Sequence, residues 1–427
     1  MAYQRRKTPG PPAGPNRGES AQVTRPLEGI KVVEVSMWAY VPSCGAVLSD
    51  LGADVIKIEP PTGDPIRQLT MNNIPPGTGG FTFMYEIFNR GKPSLSIDLN
   101  ADGALDVLHR LLEDADVFLT SLLAPTRRKL KIDVDDLLSR HPKLIYAFGT
   151  GQGTRGPDAE KGGYDAISYW ARSGVASATT PLDADYPLSM PGGAFGDATS
   201  GIILAGAISA AIAKRAMTGE RSVVNGSLLA TGMWMMQPGI VGSRISGERE
   251  LRSSTREECR NPLTSTFYRT KDRRFVCINM MQGQKYWPGL CEALGHPELG
   301  ADPRFSTDAG RSDNVQECLA ALDAIFERHT LAEIKDMLSR QDGQWDVVQQ
   351  AADLHEDSAA LANGYLQDVD YGDGRSLRMV ATPVQFDDEP LPPRPAPDLG
   401  GDSDAVLAQA GYSEEDILNL RIAGVLD

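Results

Sequence analysis

The sequence predicts an α/β protein, in which a large Rossmann-like domain is built on a parallel sheet and is followed by a smaller α+β domain. Two observations support this prediction. Short β-branched segments alternate with helical segments from residue 31 to residue 148, and after residue 229 the alternation gives way to a stretch rich in Met, Trp, Arg and Ser. The length of 427 residues, at about 150 per domain, fits two or three domains. The 41% of hydrophobic and 23% of charged residues exclude a disordered or fibrous chain.

The large domain is predicted from strands and helices that follow one another along the chain. Strands are expected at residues 31–36, 54–59, 94–99, 117–122 and 144–148, and helices at 42–51, 101–113 and 134–140. A small-residue helix at 199–216 and a strand at 221–227 continue the pattern. Strands that alternate with helices of this length favour a parallel sheet with both faces covered. We therefore expect a doubly wound sheet.

The predicted domain organisation has four segments. They are a flexible Pro-, Gly- and Arg-rich tail at 1–26, the N-terminal part of the large domain at 27–229, a small domain with its linkers at 230–345, and a return to the large domain at 346–427. Strands at 265–268 and 274–278 and helices around Trp287 and Ala320 are expected in the small domain. A final helix is expected near 414–421.

Charge and hydropathy exclude several classes of function. With 42 basic and 57 acidic residues the net charge is −15, so the overall field does not favour nucleic acid, and a polyanionic ligand needs a local basic patch. The longest nearly uncharged apolar stretch, 201–213, is shorter than the ~20 residues of a membrane span, and no secretory signal is recognisable. We expect a soluble, cytoplasmic protein without a nucleic-acid or membrane partner.

Metal and nicotinamide chemistry are disfavoured as well. The five cysteines and five histidines are dispersed, without the spacing of metal ligands or of a redox pair. The turn after the first strand, at residues 36–42, lacks the Gly-x-Gly-x-x-Gly pattern that admits a dinucleotide pyrophosphate. Neither a metal site nor a tightly bound cofactor is expected.

A carboxylate beside a helix of small residues is the most informative feature of the sequence. Asp197 follows Gly196 and precedes the helix predicted at 199–216. One interpretation is a helix cap, because aspartate accepts hydrogen bonds from free N–H groups at helix starts. The other is a nucleophile that attacks an activated acyl group, with flanking glycines that let a thioester approach and helix N–H groups that stabilise an oxyanion. This segment alone leaves both interpretations open.

Two further segments are candidates for ligand contacts. Gly162 and Gly163 precede Tyr164 and Asp165, a pattern typical of a turn and a helix cap as well as of close approach by a ligand. Residues 127–131 carry four positive charges just after the fourth predicted strand. A solvated surface explains these charges, but α/β proteins also bind ligands at the carboxyl ends of their strands, where a phosphate would fit them.

Taken in order, these segments resemble the class III CoA-transferases of the CaiB/BaiF type, which include formyl-CoA, carnitine and bile-acid CoA-transferases. The resemblance extends from Pro26 to the end of the sequence and is carried by residues 51–59, 89–92, 97–99, 163–165 and 196–197. It implies transfer of CoA from an acyl-CoA donor to a carboxylic acid acceptor. Asp197 would be the nucleophile, through an aspartyl anhydride and an aspartyl-CoA thioester. It also implies an interlocked homodimer with acyl-CoA and acid as substrates.

The same resemblance implies which residues contact CoA. They are Ala39, Tyr40, Ile97, Asp98, Leu99, Asn100, Ser121, Leu122, Leu123, Lys129, Gly162, Gly163, Tyr164 and Asp165. Lys129 lies where the family often has an arginine for a CoA phosphate, and an ammonium group binds phosphate as a point charge.

Two other functions stay open beside CoA transfer. Related α-methylacyl-CoA racemases have a histidine at the position of Tyr164, and tyrosine, with a pKa near ~10, is a poor base at neutral pH, which favours transfer. The other is a non-catalytic acyl-CoA binder.

No glycine-rich lid run is visible between residues 242 and 261, which leaves thioester hydrolysis open. The sequence identifies neither the donor nor the acceptor. Residues 233–236, with Trp170, suggest a bulky hydrophobic acyl group only as a hypothesis, since core or dimer packing also explains them.

Overall fold

A six-stranded parallel sheet forms the centre of the protein. The structure is a computed structural model that describes residues 25–181, 184–248 and 255–426. The strands of the sheet are β1 (Lys31–Val35), β2 (Asp54–Glu59), β3 (Ser94–Ser96), β4 (Val117–Thr120), β5 (Ile145–Thr150) and β6 (Val223–Ser227). Their spatial order is β3-β2-β1-β4-β5-β6, and all neighbours are parallel. The predicted α/β fold with a parallel sheet is thus confirmed.

Helices cover both faces of this sheet. They are α1 (Tyr40–Asp50), α2 (Phe83–Asn89), α3 (Ala104–Leu112), α4 (Ala124–Lys129), α5 (Val134–Arg140), α6 (Val175–Thr179), α7 (Phe195–Thr218), α8 (Leu228–Met235) and α9 (Gln237–Ser246). One apolar core lies between the sheet and helices α1 and α7, and a second lies under α3 and α5. Because both faces are covered, β4 and β5 are almost entirely apolar, as parallel strands usually are, whereas β1 and β2 also carry the buried charged residues Glu34, Lys57 and Glu59.

Helix α7 has 24 residues and extends beyond the predicted range of 199–216 at both ends. Among the described residues it is the one helix long and apolar enough, by length and composition alone, to cross a membrane. The core helix of a soluble protein has the same character. In this structure, Gly201, Leu204 and Ile208 of α7 are buried, and the helix packs along α1.

A second unit follows with an antiparallel sheet and its own core. Its strands are β7 (Thr266–Arg269), β8 (Phe275–Ile278) and β9 (Trp345–Val347), and its helices are α10 (Gly283–Ala293), α11 (Pro297–Ala301), α12 (Asp308–Asp313), α13 (Val315–Phe326) and α14 (Leu331–Leu338). The strands and helices expected here from the sequence are present. Trp287 and Phe326 are buried in this separate core, whereas Leu228 and Met236 pack in the core of the large sheet. The division at residue 230 stays a prediction.

The C-terminal segment returns to the large sheet. It contains α15 (Ser358–Ala362), the hairpin of β10 (Leu366–Asp370) and β11 (Ser376–Val380), the short pair β12 (Gln385–Phe386) and β13 (Glu389–Pro390), and helices α16 (Ser403–Gln409) and α17 (Glu414–Ile422). The Ser94 N–H donates to Asp402 Oδ2 over 2.9 Å, and Ile97 forms a bridge with Leu426. The last residues therefore complete the β3 edge. Of the tail predicted at 1–26, residues 1–24 lie outside the described residues.

Candidate active site

Asp197 lies in the first turn of α7. Ala194 adopts a left-handed conformation with φ of 61° and directs the chain into the helix, so α7 begins at Phe195, before Asp197. Within residues 25–181, 184–248 and 255–426, no hydrogen bond reaches the Asp197 carboxylate, which is partly exposed. The helix-cap interpretation of Asp197 is therefore wrong. A carboxylate without a structural partner is available for chemistry.

A second carboxylate, that of Asp165, holds the start of the same helix. The Gly196 N–H donates to both Asp165 carboxylate oxygens, over 3.0 and 3.2 Å. A Cβ at Gly196 would lie 2.2 Å from Tyr169 Cγ and 2.5 Å from Asp165 Oδ1, so only glycine fits. This glycine thus serves packing within the protein, and its amide is occupied by Asp165 instead of being open to an oxyanion.

Burial and charge together make Asp197 a weak acid. Burial, reinforced by the charge of Asp165, raises the pKa of Asp197 to about 8. Burial also raises the pKa of Asp165, against the lowering effect of the backbone N–H groups of Gly196 and Asp197. The pKa of Tyr40 is raised as well, first by burial and then by the charges of Cys44 and Asp197, so Tyr40 lies close to Asp197. With this pKa, the Asp197 carboxyl is largely protonated at neutral pH.

The segment 162–165 lies over the carboxyl end of β5. A Cβ at Gly163 would lie 2.6 Å from the Gly151 Cα, so the two backbones are in close contact. The helix expected after Asp165 is a π-helical turn, Ala166–Ala171. The exposed Tyr164 ring meets the Trp38 indole edge to face, with 5.6 Å between ring centroids and an angle of 89°. Tyr164 and Trp38 therefore form an aromatic pair at the site.

The loop between β1 and α1 is held by side chains from two other segments. The Met37 N–H donates to Ser121 Oγ over 2.9 Å, and the Trp38 N–H donates to Asp64 Oδ1 over 3.0 Å. Ala39, which follows, packs in one buried cluster with Ala194 and Ala198 of the α7 start. The loop predicted to contact CoA is therefore adjacent to the helix turn that carries Asp197.

Further predicted contacts lie at the carboxyl edge of the sheet. A cavity of about 180 Å³ lies at the carboxyl ends of β1, β2 and β4. Five of the predicted CoA contacts line it, namely Ile97, Asp98, Leu99, Asn100 and Leu122. Leu123 lies beside Gly162, since a Cβ there would be 4.0 Å from Leu123 Cδ1. The structure thus gathers residues 97–100, 121–123 and 162–165 at one edge, where open α/β sheets bind ligands.

The comparisons with known proteins identify the family of the chain. The statistical model described as CoA-transferase family III matches residues 27–403. The chain belongs to CoA-transferase family III. It is 32% identical over 401 residues to the (R)-2-hydroxy-4-methylpentanoate CoA-transferase of Clostridioides difficile, covering 94% of this chain and 99% of the relative. It is 29% identical over 400 residues to the cinnamoyl-CoA:phenyllactate CoA-transferase of Clostridium sporogenes, covering 93% and 96%.

A solved structure shows the same fold. The crystal structure of a CaiB/BaiF family protein from Brucella suis superposes with a TM-score of 0.76 and 26% sequence identity, over 91% of this chain and all of that one. The resemblance seen in the sequence is thereby confirmed. This family III CoA-transferase is an enzyme that transfers CoA between an acyl-CoA and a carboxylic acid.

In this family III enzyme the basic cluster at 127–131 has more than one role. Arg127 is buried, donates to Asp133 Oδ1 and to the Leu122 carbonyl, and stacks on the Phe148 ring. Arg128 forms an exposed ion pair with Glu160. Lys129, the last residue of α4, is exposed and makes no ion pair with any residue that the structure describes. Arg127 thus has a structural role, Arg128 is paired at the surface, and the contact of Lys129 with a CoA phosphate stays a prediction.

Trp38 and Asp64, which the structure places beside the candidate site of this family III enzyme, were not singled out from the sequence. The signal for Asp64 is present, because an aspartate directly before Pro65 is typical of a helix start. Asp64 does accept a hydrogen bond from the Ile66 N–H at the beginning of a 3₁₀ helix, Pro65–Gln68. Its contact with Trp38, 26 residues away, has no local signal in the sequence.

Proposed function

We propose that this enzyme transfers CoA through covalent intermediates on Asp197. The Asp197 carboxylate attacks the carbonyl carbon of the donor thioester, the C–S bond breaks, and a mixed anhydride and CoA thiolate form. The thiolate attacks Cγ of Asp197, which releases the donor acid and leaves an aspartyl-CoA thioester. The acceptor carboxylate displaces the thiolate to give a second anhydride. Attack of the thiolate on its acyl carbon yields the new acyl-CoA and free Asp197.

The unpartnered Asp197 carboxylate is the observation that carries this proposal. A nucleophile must be reachable and free of structural hydrogen bonds, and Asp197 meets both conditions. Its raised pKa also makes the carboxylate more basic than an exposed aspartate, which favours attack once it is ionised. The cavity lined by residues 97–100 and Leu122 would receive the nucleotide end of CoA, and the exposed Lys129 would meet a phosphate.

For the acyl group, we propose 2-hydroxy acids with a branched or aromatic hydrophobic side chain. The two relatives named above are called a (R)-2-hydroxy-4-methylpentanoate and a cinnamoyl-CoA:phenyllactate CoA-transferase. The Trp38–Tyr164 pair offers an apolar edge at the site that fits such side chains. A better rate with succinate or oxalate than with any branched or aromatic acid would contradict this choice.

Intact-protein mass spectrometry with a panel of acyl-CoA esters tests the covalent proposal. Mixing should give a mass increase of one acyl group or one CoA, removable by hydroxylamine and assigned to Asp197 by peptide mapping. The absence of any adduct, together with exchange of the α-proton in deuterated water, would favour a racemase. Binding of CoA esters in calorimetry without adduct or exchange would indicate a non-catalytic binder.

The rate of adduct formation should depend on pH through the ionisation of Asp197. Only the carboxylate attacks, and its pKa is about 8, so the rate should rise as the pH increases from 6, reach half its maximum near pH 8 and level off above that. Asp165→Asn removes a charge that helps to raise this pKa, so the profile should shift to lower pH. Stopped reactions analysed by mass spectrometry would measure it, and identical profiles for the two proteins would contradict the assigned cause.

We also propose that the enzyme is a soluble, cytoplasmic, interlocked homodimer of the two-domain kind. Large apolar side chains are exposed on the outer surface of α8 and α9: Met233, Trp234, Met235, Ile240, Val241 and Ile245. The side chains of Met233, Trp234 and Met235 therefore project outward in the single chain, instead of lining an acyl pocket within it. Many exposed large apolar side chains on two consecutive helices are typical of a subunit interface, and a second copy of the chain would cover them.

Charged substitutions on this surface should disrupt the dimer. Sedimentation equilibrium should give a mass twice the 46.0 kDa of the chain. Trp234→Asp combined with Ile245→Asp should give monomers or aggregated protein, because two unpaired charges would be buried in the interface. Phe386→Asp, at an exposed position in β12, serves as the matched control and should leave the mass unchanged. A wild-type protein that sediments at the mass of one chain would refute the dimer.

A further inference from the structure

The backbone of Trp38 is held in an unusual conformation. Its φ of 69° lies in the left-handed region, which is uncommon for a non-glycine residue and costs free energy that neighbouring contacts must offset. Trp38 lies between β1 and α1, so neither a strand nor a helix supplies its hydrogen bonds. Its N–H instead donates to Asp64 Oδ1 over 3.0 Å.

Asp64 is itself fixed by a buried ion pair. Its other carboxylate oxygen, Oδ2, lies 2.7 Å from Lys57 Nζ, and both side chains are fully buried. Lys57 belongs to β2, which pairs with a strand on each side in the parallel sheet. The Asp64 N–H donates to Glu59 Oε2 over 3.0 Å, which fixes the backbone as well. The acceptor for the Trp38 N–H is therefore tied rigidly to the sheet.

The position of Trp38 decides where one side of the site lies. Its indole meets the edge of Tyr164, whose neighbour Asp165 holds the first turn of α7 through the Gly196 N–H. Ala39, the residue after Trp38, lies in the same apolar cluster as Ala194 and Ala198 at the start of α7. A chain of contacts thus runs from Lys57 through Asp64 and Trp38 to the residues around Asp197.

We propose that Asp64 is a positioning residue, which holds Trp38 in its left-handed conformation so that the Trp38–Tyr164 pair forms the surface against which acyl-CoA is bound. This inference rests on the proposed function for the identity of the ligand. The other role of Asp64 is to cap the 3₁₀ helix Pro65–Gln68. Loss of a cap alone lowers stability and the folded fraction, but it leaves the KM of the folded enzyme unchanged.

A double-mutant cycle with Asp64→Ala and Trp38→Ala tests the proposal. Each single variant should raise the KM for acyl-CoA about tenfold, with kcat of the folded enzyme within about twofold, because binding and not chemistry is disturbed. In the Trp38→Ala background, Asp64→Ala should change KM less than about twofold, since residues that act through one another are not additive. Independent effects that multiply would overturn the proposal.

Two further measurements keep the test decisive. Asp64→Asn retains an oxygen that accepts from the Trp38 N–H, so it should raise KM less than Asp64→Ala does. If Asp64→Ala does not fold, Asp64→Asn takes its place in the cycle. An increase in KM from Asp64→Asn that is the same in the Trp38→Ala background would then overturn the proposal. If the wild-type protein transfers no CoA, the proposed function fails separately. The same cycle is then measured as the Kd for CoA by calorimetry, with the same expectation of non-additivity.

Discussion

Asp197→Asn should abolish CoA transfer, lowering kcat at least ~10³-fold, because a neutral amide does not attack a thioester. The substitution is nearly isosteric, and within the described part of the chain the carboxylate makes no hydrogen bond that an amide would lose. We therefore expect a folded protein that still binds CoA, with a Kd within about twofold of the wild-type value. Steady-state transfer assays would measure kcat, intact-protein mass spectrometry would measure the loss of the covalent adduct, and calorimetry would measure the Kd for CoA.

Asp102→Asn is the matched control for this prediction. Asp102 is an exposed carboxylate in the turn before α3, outside every segment assigned to the site, so its substitution should leave kcat and KM unchanged. Transfer that persists in Asp197→Asn, with an adduct on another residue, would place the nucleophile elsewhere. Loss of CoA binding together with activity would instead indicate that Asp197 holds the structure of the site.

Gly201→Ala should destabilise the fold by about 3 kcal/mol, because it forces apart two helices in contact. A Cβ at Gly201 would lie 1.7 Å from Ser43 Oγ, 2.8 Å from the Cys44 backbone N and 2.9 Å from the Tyr40 backbone O. A side chain can rotate away, but backbone atoms of α1 move only with the helix. Denaturant unfolding would measure the loss, and transfer activity should fall as well, because the Ser43 hydroxyl donates to the Asp197 carbonyl.

Gly206→Ala, five residues further along α7, provides the comparison. Nothing lies within 4 Å of a Cβ at Gly206, so only the helix preference of alanine remains. This variant should be more stable than the wild type by about 0.5–1 kcal/mol. Equal stability changes at the two positions would mean that α1 and α7 are packed less tightly than the structure shows.

Much of the fold could be predicted because the information is local. The strands at 54–59 and 117–122 and the helix at 134–140 follow from apolar periodicity and β-branched residues within a few positions. The ends of helices and strands were predicted less accurately, because they depend on contacts that are not local. The start of α7 depends on Ala194, which adopts a left-handed conformation that alanine rarely adopts. It also depends on the hydrogen bond from Gly196 to Asp165, which lies 31 residues earlier in the sequence.

The site shows where local reasoning ends. A glycine–aspartate pair before a small-residue helix made Asp197 a candidate, but the segment alone left a helix cap open, and the family resemblance was needed to predict a nucleophile. The role of Arg127 was not, because its partners are the Leu122 carbonyl and Asp133, and a run of positive charges gives no sign of which side chain turns inward. The bond between Asp64 and Trp38 depends in the same way on how loops from β1 and β2 meet in space.

The return of the C-terminal segment to β3 has a consequence for how the protein is made. The Gly91 N–H donates a hydrogen bond to the Pro395 carbonyl, and the Asp98 N–H donates to the Val425 carbonyl. The edge of the large sheet therefore joins residues about three hundred positions apart. During synthesis the earlier segments leave the ribosome long before their partners exist. The large domain therefore cannot close until residues 395–425 have been synthesised, and until then the nascent chain exposes an unpaired strand edge to chaperones and to other chains.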